Sequence, residues 1–223
     1  LHDLYWHSKP FSDLYGYHGK SRTPCRGGTE KRKYINILKI NQNKYFVIQD
    51  FMALKKKTPK ESAVTMTEMV LPNDTNPLHN LMGGRMMHLI DIAGAISAQR
   101  HCQRIVVTAS VDNISFHHPI KLGSVITLQA KVTRAFNSSM EVYIEVYAED
   151  LSTESKILTN KAFLTFVAID QAGNPIHVPE VVPESEEEKK LFDSALRRRQ
   201  LRLILAGRMK PDEATELKSL FED

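Results

Sequence analysis

Gly83-Gly84-Arg85-Met86-Met87-His88-Leu89-Ile90-Asp91-Ile92-Ala93-Gly94-Ala95-Ile96-Ser97-Ala98-Gln99-Arg100 is the stretch on which the fold turns. The two glycines end a turn-rich segment, and Arg85 to Arg100 reads as a helix. Its apolar residues Met86, Met87, Leu89, Ile90, Ile92, Ala93, Ala95, Ile96 and Ala98 fall on nearly every side. A helix that is apolar all round is a buried helix, so the rest of the chain must supply a wrapping.

Downstream, four runs have the period of strands. Ile105 to Phe116 is the first. Ile126, Leu128, Ala130 and Val132 then alternate with Thr127, Gln129, Lys131 and Thr133. Next, Met140, Val142, Ile144, Val146 and Ala148 alternate with Glu141, Tyr143, Glu145, Tyr147 and Glu149, and Lys156 to Asp170 is the last run. Alternation at period two marks a strand with one face buried, and short connections favour antiparallel neighbours. Upstream, Val64 to Leu71 reads as a further strand, followed by the turn cluster Pro72-Asn73-Asp74-Thr75-Asn76-Pro77. The expectation is an α+β fold: one long buried helix wrapped by a curved antiparallel sheet of about five strands. The exposed edges of so small a sheet commonly pair across a dimer. A break from Pro179 to Pro183 precedes Ser185-Glu186-Glu187-Glu188, a cap followed by first-turn acids. It predicts a C-terminal helix from about Glu186 to Ala206, ended by Gly207 and Pro211, and a short one within Glu213 to Phe221.

Composition bounds the rest. The chain has 223 residues, 42% hydrophobic and 25% charged, enough for one globular domain with appendages. No run of about 18 apolar residues occurs, which excludes a spanning helix. Cys25 and Cys102 lack zinc spacing and fit a reducing, cytoplasmic setting. The net charge of +4 is uneven. Residues 1–51 carry nine Lys/Arg against four Asp/Glu and nine of the 17 aromatics; residues 52–223 carry 21 against 22. The basic excess thus belongs to an appendage and predicts no nucleic-acid binding by the main domain. The first Met is Met52. Residues 1–51 read as an atypical basic segment outside the native domain, so that a chain beginning at Met52 should keep full activity. The other reading is a basic arm for membrane or nucleic acid, within which Tyr34 to Ile40 would be a strand. Residues 52–63 read as a flexible lead-in, 64–178 as the main domain and 179–223 as a helical extension.

Asp91 is the acid of interest, the only one between Asp74 and Asp112, inside the most apolar helix. An unpaired buried carboxylate costs several kcal/mol. It is either a solvent-facing residue on an imperfectly buried helix or a base or nucleophile in an apolar channel. Gly83 and Gly84 open that helix, where free N–H groups and the positive dipole end can hold a developing oxyanion; the ordinary alternative is a tight turn. Asn76 offers an amide to a carbonyl or water. Gly84 and Asp91 lie about 10 Å apart along a helix, too far to share one carbonyl carbon. A two-fold dimer would bring Asn76, Gly83 and Gly84 of one subunit to Asp91 of the other. Arg134, Asn137, Ser138, Ser139 and Lys161, near strand ends, suit the phosphates or amides of a large anionic ligand, although such residues are more often merely solvated. The same holds for Arg197-Arg198-Arg199, and His117-His118 reads as loop. Metal, nucleotide and serine-hydrolase motifs are absent.

Leu71-Pro72-Asn73-Asp74-Thr75-Asn76, Asn80-Leu81-Met82-Gly83-Gly84 and Ile90-Asp91-Ile92-Ala93-Gly94-Ala95 resemble the hotdog-fold acyl-CoA thioesterases, closest to the cytosolic acyl-CoA hydrolases. Val107 to Phe116, Ser138 to Val142, Thr159 to Ala162 and Val178 to Lys189 continue the likeness, which runs from about Val64 to Met209. Many members have Gly where this chain has His79. The resemblance implies hydrolysis of fatty acyl-CoA to free acid and coenzyme A, with Asn76 and Asp91 as the catalytic pair and no cofactor beyond the coenzyme A of the substrate. It also implies sites at the interface of a homodimer, often within a trimer of dimers, in the cytoplasm and without stable membrane association. A hotdog dehydratase would need a histidine motif that this helix lacks. A non-catalytic acyl-CoA sensor is the remaining alternative, and it would have no use for Asp91.

Overall fold

The computed structural model describes residues 56–219 except 113, 115, 117 and 154. The expectations placed on residues 1–51 lie outside them. Five strands, β1 (Val64–Met69), β2 (Ile105–Asp112), β3 (Val125–Ala135), β4 (Ser139–Asp150) and β5 (Ser155–Ile169), form one antiparallel sheet in the order β1-β3-β4-β5-β2. Helix α1 (Gly83–Cys102) is seated on one face of it. The predicted helix is thus real and longer at both ends, because the glycines themselves form its first turn. Register shifts at Thr108/Ser110, Val132/Arg134 and Val146/Tyr147 are the bulges by which a sheet bends around a helix.

The core lies between α1 and the sheet. Met140, Val142, Ile144 and Val146 of β4, Ile126, Leu128 and Val132 of β3, and Leu164 and Phe166 of β5 are almost fully buried, as are Met86, Leu89, Ile90 and Ala93 of α1. Helix and sheet approach so closely at Gly94 that a Cβ there would stand 2.9 Å from the Phe166 ring, which is why that turn of the helix carries no side chain.

The other face of the sheet is covered too. Helix α2 (Glu186–Leu205), started by a Ser185–Glu188 capping box, lies against it. Glu141, on the polar side of the β4 alternation, is 1% exposed. Both of its oxygens accept from Arg198, at 2.7 and 3.0 Å, and Thr133 Oγ1 donates to it at 2.7 Å. Arg198 also stacks 3.9 Å over Phe163. The basic run of α2 is therefore partly an inward anchor. A short helix α3 (Thr215–Lys218) follows, with Leu217 N–H donating to Gln200 Oε1 at 2.9 Å.

Two expectations are corrected. The polar stretch before β1 is not a flexible lead-in over residues 56–63. Lys57 is buried, exchanges backbone bonds with Glu180 and Val182, and donates through Nζ to the carbonyls of Arg100 and His101 at the end of α1. Ser62 is buried and its Oγ accepts from Val132 N–H. A polar composition hid these contacts because all are made by polar atoms. The second correction concerns β2, which is Ile105–Asp112, with Ile114 and Phe116 of its apolar pattern outside the strand.

Candidate active site

The turn before α1 is built by short backbone bonds. Asn76 N–H donates to Asn80 O (2.8 Å), Met82 N–H to Asp74 O (2.9 Å) and Leu81 N–H to Ile120 O (2.7 Å), and Arg85 Nε pairs with Asp74 Oδ1 at 2.9 Å. Asn76 Oδ1 accepts from the N–H groups of Leu78 and Asn80. Its oxygen is thereby occupied, and its Nδ2 is the group left to face a ligand. His79 has φ of 57°, the left-handed region in which a glycine sits without steric cost.

Helix α1 begins without a side-chain cap: Met82 occupies the N-cap and makes no such bond. The leading N–H groups are therefore available. A Cβ on Gly84 would meet nothing within 4 Å, and one on Gly83 would only touch the Phe116 ring at 3.5 Å. Packing within the chain does not demand glycine at Gly84. A pocket of about 400 Å3 opens here, lined by Asn76, Gly83, Met86, Phe116, His118 and Asn160 among others. Sequence reading placed His118 in a loop and gave Asn160 no role.

Asp91 stands two turns along α1 and does not line this pocket. It is half-buried, and its Oδ1 accepts from Thr108 Oγ1 at 2.6 Å. Thr108 was not foreseen as a site residue. Thr108 lies opposite Phe166 in the register and shares its helix-facing side, which alternation along the strand does not by itself reveal. Asp91 thus sits beside β2, the edge strand, whose Ile105, Val107 and Val111 are 55, 44 and 43% exposed. Gly84 and Asp91 stand on the one helix α1, seven residues or about 10 Å apart along its axis.

The five residues expected to meet a large anion are not gathered at the pocket. Arg134 Nη1 donates to Phe192 O (3.0 Å) and its guanidinium stacks 4.2 Å over that ring, so it anchors α2. Asn137 and Ser138 lie in the β3–β4 turn and Ser139 opens β4, their carbonyls accepting from Val178, Ala168 and Phe136. Ser139 is seven residues from Val146, the β4 partner of Asn160, or about 23 Å at a strand's rise. Lys161 lines a separate pocket of about 630 Å3 on the α2 face, with Phe163, Arg198 and Arg202.

Comparison with known proteins gives these findings. The profile of the Thioesterase superfamily matches residues 78–155. The "Uncharacterized acyl-CoA thioester hydrolase YkhA" of Bacillus subtilis (strain 168) is 47% identical over 139 residues, 62% of this chain and 81% of its own length. A hexameric acyl-CoA thioesterase, solved in its apo form, is 38% identical with a TM-score of 0.67 over 69% of this chain and 98% of its own. The acyl-CoA hydrolase of Staphylococcus aureus, solved with butyryl coenzyme A and coenzyme A, is 39% identical with a TM-score of 0.64 over 69% and 95%. That hydrolase has also been solved with single alanine substitutions of an asparagine, an aspartate and a threonine. Mammalian acyl-CoA thioesterases match as well, and of these the chain spans only 25 to 39%.

Proposed function

This chain belongs to the acyl-CoA thioester hydrolases of the thioesterase superfamily, and we propose that it cleaves acyl-CoA with Asp91 of one subunit acting on a thioester held at the helix start of its partner. The observation that carries the reading is Asp91, paired with Thr108 of β2, on the same helix whose first turn is bare and uncapped. The S. aureus substitutions support it. Their asparagine, aspartate and threonine are separated by 15 and 17 residues, the intervals that separate Asn76, Asp91 and Thr108 here.

The thioester carbonyl oxygen accepts from the Gly83 and Gly84 N–H groups, and Asn76 Nδ2 orients the carbonyl or the water. Asp91 takes a proton from water as its oxygen bonds to the carbonyl carbon. The C–S bond then breaks and the thiolate of coenzyme A leaves, taking up the proton. Thr108 fixes the rotamer of the carboxylate and leaves its second oxygen for the water. Direct attack by Asp91 would use the same placement. A thiol is a far better leaving group than an amine, so the residues named suffice and coenzyme A enters only as part of the substrate. A homodimer across β2, or a trimer of dimers, is the assembly this requires, and the cytoplasm is the proposed setting. An acyl-CoA sensor has no comparable use for a carboxylate held by Thr108.

Asp91→Asn is expected to lower turnover by about 10² to 10⁴-fold, the range of general-base catalysis, in a thiol-release assay on an acyl-CoA panel. A near-normal rate in that variant would end the assignment.

A further inference from the structure

The second pocket lies on the sheet face opposite α1, where the last turns of α2 pass over β5 and the edge strand β2. Its volume is about 630 Å3, within the range of about 300–1,000 Å3 found for small-molecule sites. Val111, Phe163, Leu201 and Leu205 supply its apolar walls. Leu201 and Leu205 stand four residues apart on α2, hence on one helix face, and are 45 and 79% exposed. Leucines held in water beside a hollow gain from any apolar chain that covers them.

The charges of this pocket are one-sided. Lys161, Arg198 and Arg202 line it, against Asp112 alone. Both guanidiniums are engaged: Arg198 on Glu141, and Arg202 on Asp112 at 2.8 Å. Lys161 is not. It is exposed and makes no hydrogen bond or ion pair among the described residues. Its cross-strand neighbour Glu145 instead accepts from the hydroxyls of Tyr143 and Tyr147, at 2.8 and 2.9 Å. An ammonium on a flexible stem thus stands at the rim of an apolar hollow.

We infer that this pocket binds a free fatty acid as its carboxylate, with the head on Lys161 Nζ and the alkyl chain along Phe163, Leu201 and Leu205. One unengaged cation matches one negative charge. The several phosphates of coenzyme A would call for more free cations than the pocket holds, so the ligand is the acid and not its thioester. A fatty acid is the product class of the proposed hydrolysis, but the inference is independent of that reading, because binding is measured without turnover.

The test is calorimetric titration of the full chain with dodecanoate, hexanoate and dodecyltrimethylammonium, each below its micelle concentration, on wild type, Lys161→Glu and Lys161→Gln. Wild type is expected to bind dodecanoate saturably and at least about tenfold more tightly than hexanoate, since each buried methylene adds to affinity. It should also prefer dodecanoate to the cationic amphiphile by at least about threefold, the scale of an exposed ion pair. Lys161→Glu is expected to reverse that preference and Lys161→Gln to abolish it. The reversal separates this site from the pocket at the start of α1, which Lys161 does not line. If Lys161→Glu, with its like charge opposite Glu145, yields no folded protein, wild type and Lys161→Gln decide. Equal binding of both heads by wild type, an unchanged preference in the variants, or no saturable binding of dodecanoate overturns the inference and leaves the thioesterase reading intact. Gel filtration of Leu205→Lys identifies the rival occupant: an assembly smaller than wild type, together with no dodecanoate binding by wild type, would show a second copy of the chain filling the pocket, and would likewise overturn the inference.

Discussion

Gly84 is where chemistry and packing separate most cleanly. Nothing in the chain stands within 4 Å of a Cβ placed there, and alanine is the better helix former. Gly84→Ala should therefore fold at least as stably as wild type. Its methyl would stand where the thioester carbonyl approaches, so kcat/KM should drop by at least about tenfold, part of the 10² to 10³-fold attached to a whole oxyanion donor. Thermal unfolding alongside the thiol-release assay checks both halves; an active Gly84→Ala would move the carbonyl site elsewhere. At this scale the sequence was legible wherever a residue clashed with its surroundings. Asp91 stood out as a lone acid in an apolar helix. Thr108 and Asn160 did not, because each sits in a strand whose alternation tolerates a polar residue, and only the register shows which face it occupies.

At the scale of elements, helix α1 is held at its two ends by different means. Its start is left uncapped, whereas its end is closed by Lys57 on the carbonyls of Arg100 and His101. The buried His101 ring bonds to Pro179 O through Nε2 at 2.8 Å, and its Nδ1 has no partner among the described residues. Burial holds its pKa below the usual range and the Lys57 charge adds to this, while the Pro179 carbonyl and Glu61 pull the other way. Below about pH 6.5, the ordinary histidine value, the unfolded chain takes up a proton that the folded chain resists, so stability falls as pH falls. Urea unfolding between pH 7.5 and 5 should show a shallower loss for His101→Gln than for wild type; parallel slopes would mean that the ring titrates freely in the fold. The strands and both long helices were legible from periodicity and caps. The covering of the second sheet face was not, because Glu141, Tyr143 and Glu145 read as solvent-facing. Glu141 is buried only because Arg198 arrives from 57 residues away, and removing one member of such a pair costs about 3–5 kcal/mol.

For the whole molecule, the half-buried Asp91 stands beside an edge strand with exposed Ile105, Val107 and Val111, and under the proposed mechanism a single chain is half a site. Asn76→Ala and Asp91→Asn should each be nearly inactive. After mixing under conditions that exchange subunits, they should recover activity towards about a quarter of wild type, since half of randomly assorted dimers are hybrids and each hybrid keeps one intact site. No recovery, with exchange verified by mass spectrometry, would place both residues in one protomer's site.

Lys57 and Val181 bracket the sheet in sequence yet are bridged side by side in space. A linker of a few residues between these two points would close the polypeptide into a ring that could be reopened at another surface loop. Such a ring leaves out α2 and with it the Arg198 that pairs with Glu141, so circular permutation through this junction would have to supply that face of the sheet with a new cover.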